Sequence, residues 1–220
     1  AISEAVRAFT LSYFNLPDDK VVSIYNGIDV ARFAAAVKSD SEWQPTLGVI
    51  ARLEAVKGHQ TLFEALGKLK KSVGTLPKVK IIGSGSQETI LRRLADRLGI
   101  ANSLEWCGYQ ADVPALLSSI DVLVQPSYSE GLSVTLLEGL ASKKLIIASN
   151  VGGMAELLGR SEIGIVCAAG DSDELAKKLE WTLNNREAAW SLRERGHQWF
   201  MGQPQFDIRE TAKKYYRLYA

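Results

Sequence analysis

Glu130 and Glu138 lie eight residues apart, one before and one within a predicted helix. An apolar run at 120–126 precedes them and is typical of a buried parallel strand. After Gly131, apolar residues recur at three- and four-residue spacing, as on one face of a helix. The two carboxylates are therefore expected at a strand-to-helix junction, and ligands of open α/β sheets collect at the carboxyl ends of strands.

The start of this helix has the features of an anion site. Free backbone amides at Leu132 and Ser133 would point toward a ligand, and the helix dipole favours negative charge there. Glu138 lies beside the apolar stripe of the helix, where a buried carboxylate needs partners such as two sugar hydroxyls. The spacing alone fits a functional pair of glutamates no better than it fits a solvated glutamate and an ordinary helix cap.

Two cations, Arg52 and Lys57, follow another predicted strand. An Arg fork and a Lys point charge in a strand-to-helix loop can hold a diphosphate. Such a pair is more often ordinary surface charge. Gly83 and Gly85 form a G-x-G turn after a third strand, but the full G-x-G-x-x-G dinucleotide fingerprint is missing, so a tight turn is the simpler interpretation.

Composition excludes several other kinds of site. The chain has 26 Lys and Arg against 25 Asp and Glu, so net charge does not indicate nucleic acid as a partner. Cys107 and Cys167 are predicted to be free buried thiols rather than a disulfide framework. His59 and His197 are isolated, and we expect no metal site. The sequence contains no apolar run of membrane-spanning length, and we expect no signal peptide.

Strand-like and helical patterns alternate along the chain and predict an α/β, Rossmann-like, doubly wound parallel sheet. The predicted strands are 21–25, 46–51, 78–82, 103–107, 120–126, 145–149 and 163–167. The predicted helices, besides the one after Gly131, are 2–13, 59–73, 89–98, 113–119, 154–158, 172–183, 186–200 and 206–219. Residues 34–45 have a mixed composition and are predicted to be a loop.

Three segments resemble family 4 glycosyltransferases of the GT-B fold. The first is S-E-G-L-S-V-T-L-L-E at 129–138, followed by the segment 147–156. The second is A-R-x4-K-G at 51–58, where Ala51 replaces the glycine of the family's G-R-x4-K-G. The third is the opening of the chain, which is similar to the hinge between the two GT-B domains. Before the strand at 145–149 the chain departs from the family, since Ser142-Lys143-Lys144 stands where relatives have a small residue with Gly and Pro.

The resemblance implies a role for each candidate residue in binding a nucleotide-diphosphate sugar such as a UDP- or GDP-sugar. Glu130 would lie beside the transferred sugar as the catalytic candidate, and Glu138 would hold the ribose. The diphosphate would be held by Arg52, Lys57 and the amides that follow Gly131, at Leu132 and Ser133. Gly83 and Gly85 would contribute backbone contacts, and Tyr109 would form a wall for the base. No metal or other cofactor is expected; Asp171-Ser172-Asp173 has the D-x-D spacing but is predicted to cap a helix.

The resemblance also implies the organisation of the chain as the donor half of a GT-B enzyme. Residues 1–20 would be a linker from an N-terminal acceptor domain that is missing here, 21–200 the nucleotide-sugar-binding domain, and 201–220 a helix that crosses back. The parent would be a retaining, metal-independent transferase of polysaccharide biosynthesis. It would be cytoplasmic or peripheral to the inner face of a membrane, and its acceptor would be a glycan or a lipid-linked sugar. The fragment alone would be inactive.

Three alternatives remain open at this point. The first is a non-catalytic nucleotide-sugar-binding module, and the second is an epimerase or phosphorylase on the same fold. The third is a dehydrogenase domain, against which the incomplete glycine fingerprint argues.

Overall fold

Six short strands form one parallel sheet among the residues that the computed structural model describes, 1–35 and 45–219. The strands are β1 (Leu47–Ile50), β2 (Val79–Ile82), β3 (Leu104–Gly108), β4 (Val122–Gln125), β5 (Leu145–Ser149) and β6 (Ile165–Cys167). Their order in the sheet is β3-β2-β1-β4-β5-β6. The chain moves outward from β1 to β3 and then returns to place β4 beside β1, so the direction of winding reverses between β1 and β4.

Helices cover both faces of the sheet. They are α1 (Glu4–Phe14), α2 (Val30–Ala34), α3 (His59–Val73), α4 (Glu88–Arg97), α5 (Val113–Ser118), α6 (Val134–Ala141), α7 (Gly152–Ser161), α8 (Ser172–Asn184), α9 (Arg186–Met201) and α10 (Ile208–Tyr219). The alternation of side chains in β4 explains why both faces are apolar. Val122 and Val124 join the core under α3, α4 and α8, whereas Leu123 joins the core under α6, α7 and α9.

These observations confirm the predicted α/β fold with a doubly wound parallel sheet. The helix predicted at 59–73 is found with those bounds. Helix α7 is longer than the predicted 154–158, and α10 begins two residues later than the predicted 206. Both thiols are free; Cys167 is buried, but Cys107 is only half-buried because β3 lies at the edge of the sheet.

The prediction of a strand at 21–25 is wrong. This segment lies outside the sheet, and its amide at Ile24 donates to the carbonyl of Ala1 over 2.8 Å. Shortly afterwards Ile28 forms an isolated bridge with Asp207. The sheet therefore has six strands among the described residues, not seven. The predicted loop at 34–45 includes residues 36–44, which lie outside the described residues, and its first residue, Ala34, ends the short helix α2.

Candidate functional site

A pocket of about 290 Å³ opens at the carboxyl ends of β1 and β4, where the winding of the sheet reverses. This is the position at which doubly wound sheets bind ligands. Its walls combine strand ends, the loop after β1 and the start of α6. The lining residues are Val49, Ile50, Ala51, Arg52, Lys57, Gln125, Pro126, Ser127, Glu130, Leu132, Ser133, Val134 and Thr135.

An ion pair lies in the wall of this pocket. Nζ of Lys57 donates to Oε1 of Glu130 over 2.6 Å, and the Ser127 hydroxyl donates to the same oxygen over 3.1 Å. The two charged side chains are only 19% and 14% exposed, so water screens their attraction weakly. The sequence predicted a role for each residue but did not predict that they contact each other.

The loop that carries Lys57 is fixed directly against the end of β4. Lys57 ends a short 3-10 turn, and Gly58 follows it with a φ of +69°. A Cβ atom at Gly58 would lie 1.9 Å from the carbonyl oxygen of Pro126, so only glycine permits this approach. The close backbone contact brings the ends of β1 and β4 together, and it therefore holds Lys57 within reach of Glu130.

Arg52 supplies a second positive charge. Its side chain is exposed at the pocket and forms no hydrogen bond or ion pair with the residues that the structure describes. A guanidinium in this state can bind an anionic ligand without first breaking a contact within the protein. The structure therefore brings the two predicted cations, Arg52 and Lys57, to one pocket, as a diphosphate site requires.

The start of α6 adds hydrogen-bond donors to the pocket. Ser133 is the N-cap: its hydroxyl accepts from the Leu136 amide over 3.2 Å. The amides of Leu132 and Ser133 themselves donate no hydrogen bond to any described residue. They are unsatisfied donors at a helix N-terminus that lines a cationic pocket, which is an arrangement suited to phosphate.

Gln125 is a pocket residue that sequence reasoning missed. Its side-chain oxygen accepts from the Ser133 hydroxyl over 2.8 Å, which leaves its NH₂ group to donate elsewhere. The side chain is buried at the end of an otherwise apolar strand. An amide in that position was the available signal, because a buried polar group needs partners.

Glu138 lies one helical turn beyond the pocket lining formed by Val134 and Thr135. The side chain is half-buried and accepts no hydrogen bond from the described residues. Burial raises the pKa of its carboxyl group, and the charge of Arg32 on α2 opposes that shift. A carboxylate without partners beside the pocket remains available to a ligand's hydroxyl groups.

The predicted glycines have steric roles that need no ligand. A Cβ atom at Gly83, where φ is +137°, would lie 1.9 Å from the Ala51 oxygen, and one at Gly85 would lie 2.5 Å from the Leu53 oxygen. The turn after β2 therefore packs backbone against backbone on the loop after β1. Gly83, Gly85, Gly131 and Glu138 are not among the pocket's lining residues. Neither is Tyr109, which is 77% exposed at the end of β3.

No group of three or more His, Cys, Asp or Glu side chains within the described ranges could hold a metal ion. His59 is buried with neither ring nitrogen hydrogen-bonded to a described residue. Burial, reinforced by the charge of Lys57, lowers its pKa to about 4, so the ring is neutral near pH 7. Across the same ranges, no helix combines the length and apolarity that a membrane crossing requires.

Residues 16–199 match the profile of the family described as glycosyl transferases group 1. An uncharacterized glycosyltransferase of Methanocaldococcus jannaschii is 28% identical over 206 residues, which cover 88% of this chain and 51% of the relative. The GDP-mannose-dependent alpha-(1-6)-phosphatidylinositol monomannoside mannosyltransferase of Mycobacterium tuberculosis is 28% identical over 198 residues, covering 82% of this chain and 51% of the relative. The chain thus spans about half the length of these curated relatives.

Solved structures share the fold. A glycosyltransferase from Rickettsia africae superimposes with a TM-score of 0.86 at 23% identity, covering 100% of this chain and 62% of that one. Anabaena HepE, solved in complex with UDP and glucose, superimposes with a TM-score of 0.84 at 20% identity, covering 99% of this chain and 61% of that one.

Proposed function

Because this chain belongs to the glycosyl transferases group 1 family, we propose that it is the donor-binding part of a retaining, family 4 enzyme of the GT-B fold. The donor is a nucleotide-diphosphate sugar, with UDP or GDP as the nucleotide. The observation that carries the proposal is the pocket at the reversal point of the sheet, which combines Arg52, Lys57 and the amides of Leu132 and Ser133, which donate to no described residue. HepE, a structural neighbour, was solved with UDP and glucose, which supports the same ligand class.

In the proposed reaction the bond between the anomeric carbon and the diphosphate oxygen breaks. The acceptor's hydroxyl oxygen forms the new bond on the same face of the sugar, and its proton passes to the departing diphosphate. Arg52, Lys57 and the amides of Leu132 and Ser133 stabilise the charge that develops on the leaving group. These donors replace a divalent ion, so the proposed chemistry is metal-independent.

The two glutamates contact different parts of the donor. Glu138 accepts hydrogen bonds from the two ribose hydroxyls, which satisfy its half-buried carboxylate. Glu130 lies beside the transferred sugar and, before the donor binds, holds Lys57. An incoming diphosphate competes with Glu130 for Lys57, so binding redirects this ammonium from the carboxylate to the phosphates.

A calorimetric panel tests the ligand class. We expect the chain to bind UDP or GDP and the matching nucleotide sugars, and not to bind NAD. Lys57→Met should weaken binding of the preferred nucleotide. Lys68→Met is a matched control, because Lys68 pairs with Asp173 and neither residue lines the pocket. Binding of NAD in place of nucleotide sugars would favour the dehydrogenase alternative.

A transfer assay tests whether donor binding and acceptor positioning belong to different domains of the proposed enzyme. The acceptor, a glycan or lipid-linked sugar, must be held in line with the anomeric carbon, and such positioning supplies roughly 7–11 kcal/mol of the barrier. We propose that a preceding domain does this, so the 220-residue chain should bind donor and transfer no sugar. Product from the chain alone would contradict this division. Binding without transfer in a longer protein that includes that domain would favour a non-catalytic module.

A further inference from the structure

The carbonyl of Gly131, the residue that follows Glu130, is held from two directions. The amide of Gly153 at the start of α7 donates to it over 3.0 Å. The hydroxyl of Ser3 donates to it over 2.8 Å, although Ser3 lies 128 residues earlier in the chain. Ser3 is 0% exposed, so water does not compete for this bond. The N-terminus of α1 is therefore hydrogen-bonded to the loop that carries Glu130.

Steric fit reinforces this attachment. The Ser3 hydroxyl also accepts from the Val6 amide over 3.1 Å, so the same group that caps α1 holds the loop. A Cβ atom at Gly131 would lie 2.9 Å from Cδ1 of Ile2, so the absence of a side chain there lets α1 approach. On the other side, a Cβ atom at Gly152 would lie 1.7 Å from the carbonyl oxygen of Glu130. Residues Glu130 and Gly131 are thus packed between the start of α1 and the start of α7.

Glu156 on α7 forms two further hydrogen bonds to the amino-terminal segment, residues 1–25. One carboxylate oxygen accepts from the Ala5 amide over 3.1 Å, and the other accepts from the Tyr25 hydroxyl. Both bonds are partly buried, and they join residues more than a hundred positions apart. Glu156 therefore fixes both ends of the segment 5–25 to the helix that also contacts the Glu130 loop.

We propose that Ser3 and Glu156 are positioning residues for Glu130, and we call Ser3, Ala5, Tyr25 and Glu156 the amino-terminal brace. The brace holds the backbone of the loop that carries Glu130. It thereby determines where the Glu130 carboxylate lies relative to the sugar of the donor. A displacement of residues 1–25 is transmitted to the Glu130 carboxylate at the sugar end of the site and to the Leu132 amide, which shares a peptide group with the Gly131 carbonyl. The role of Glu130 toward the sugar rests on the proposed function; the mechanical coupling does not.

Hydrogen exchange tests the coupling without any ligand. The Gly153 amide is the reporter, because its acceptor is the Gly131 carbonyl. We expect Ser3→Ala to speed its exchange about fivefold, the factor that a hydrogen bond of ordinary net strength represents. Thr10→Ala is the matched control: it removes a hydroxyl from the same helix, but among the described residues that hydroxyl bonds only to the Val6 carbonyl. The control should leave Gly153 unchanged, and the amides of β4 should be unchanged in both variants.

Binding of UDP and UDP-glucose to the same variants tests the effect on the site. We expect Ser3→Ala to lower UDP-glucose affinity roughly 3- to 10-fold and to lower UDP affinity less, because both ligands meet the Leu132 amide but only UDP-glucose has a sugar beside Glu130. Should GDP be the preferred nucleotide, GDP and GDP-mannose replace this pair. Equal losses of affinity for the nucleotide and for the nucleotide sugar would overturn the proposal that Ser3 positions Glu130. If no nucleotide binds even to the unmodified chain, the proposed function fails, and the exchange experiment still decides the coupling.

Glu156 provides an independent test at the second attachment. Glu156→Gln keeps a hydrogen-bonding group for Ala5 and Tyr25 and should behave like the unmodified chain, whereas Glu156→Ala should speed exchange at Gly153. Unchanged exchange in both Ser3→Ala and Glu156→Ala would overturn the brace. Faster exchange throughout β4 as well as at Gly153 would also overturn it, because the two residues would then support general stability alone.

Discussion

Replacing Glu138 with glutamine should stabilise the free protein and weaken its binding of nucleotide. The carboxylate is half-buried and has no hydrogen-bond partner among the described residues. Burial raises its pKa, with the charge of Arg32 as a partial offset. Glutamine has nearly the same shape and no charge. If the Glu138 carboxylate stabilises the fold, this change should lower the stability of the protein. If the carboxylate serves to bind a ligand, the change should raise the stability of the free protein.

The two effects differ in size. Removing a half-buried charge that Arg32 offsets only in part should raise the free energy of unfolding by about 1 kcal/mol. For a chain of this length that corresponds to a rise in Tm of about 2–4 °C. Loss of charge-assisted hydrogen bonds to the ribose should weaken nucleotide binding about 10- to 100-fold, or roughly 1.4–2.8 kcal/mol.

The gain in stability should depend on pH in one direction. Because the folded pKa of Glu138 lies above its unfolded value, the folded chain binds more protons in the intervening pH range, and stability falls as pH rises through that range. Below the unfolded pKa both states are protonated and the carboxyl has no effect. The advantage of Glu138→Gln should therefore be absent in acid and reach its full size above the folded pKa.

Thermal unfolding across pH and calorimetric titration measure both effects on one pair of proteins. A 2′,3′-dideoxy nucleotide adds a check on the partner: the unmodified chain should discriminate against it, and Glu138→Gln should discriminate much less. A stability gain that persists at low pH would show that packing, not charge, is responsible. Undiminished discrimination against the dideoxy nucleotide would refute the assignment of Glu138 to the ribose.

Three further changes have distinct expected outcomes. Glu130→Gln should release Lys57 and raise the affinity for UDP or GDP roughly 3- to 10-fold, while abolishing transfer in a longer enzyme; weaker nucleotide binding would contradict this role of the ion pair. Nucleotide affinity should be the same in excess chelator as in magnesium, since cations and amides neutralise the diphosphate; complete loss in chelator would show that a metal is required. Gly58→Ala should lower the free energy of unfolding by about 2–4 kcal/mol, because its Cβ would meet the Pro126 carbonyl at 1.9 Å; an unchanged Tm would show that the two loops can separate freely.

Local periodicity predicted the elements that bury a continuous apolar face. Helix α3 was predicted with its observed bounds because Leu62, Phe63 and Leu66 repeat at helical spacing and all face the core. The segment 21–25 has an equally apolar pattern, but its partner is Ala1 and not a sheet strand. Pairing between distant segments determines a sheet, and periodicity within one segment does not report it.

The same distinction applies to the site. Spacing and residue type singled out Arg52, Lys57, Glu130 and the start of α6, but they fitted ordinary surface charge and helix capping as well. The resemblance to a known family selected these residues as site candidates, and the structure brings them to one pocket. The ion pair between Lys57 and Glu130 joins residues 73 positions apart, and it depends on how closely two loops approach. The attachment of Ser3 to Gly131 spans 128 positions and has no sequence signature at all.

The turn at Gly83 and Gly85 packs its backbone against the loop after β1. Substitutions there should therefore disrupt folding, whereas substitutions at ligand-binding residues should disrupt function without disrupting the fold. Any side chain at either glycine meets a carbonyl oxygen before a ligand is present. A library selected only for folded protein should therefore already be depleted of substitutions at both positions. At Arg52 and Glu138 such a selection should be permissive, and depletion should appear only when the library is selected for nucleotide binding. The two selections together would separate the scaffold of the pocket from its chemistry, one position at a time.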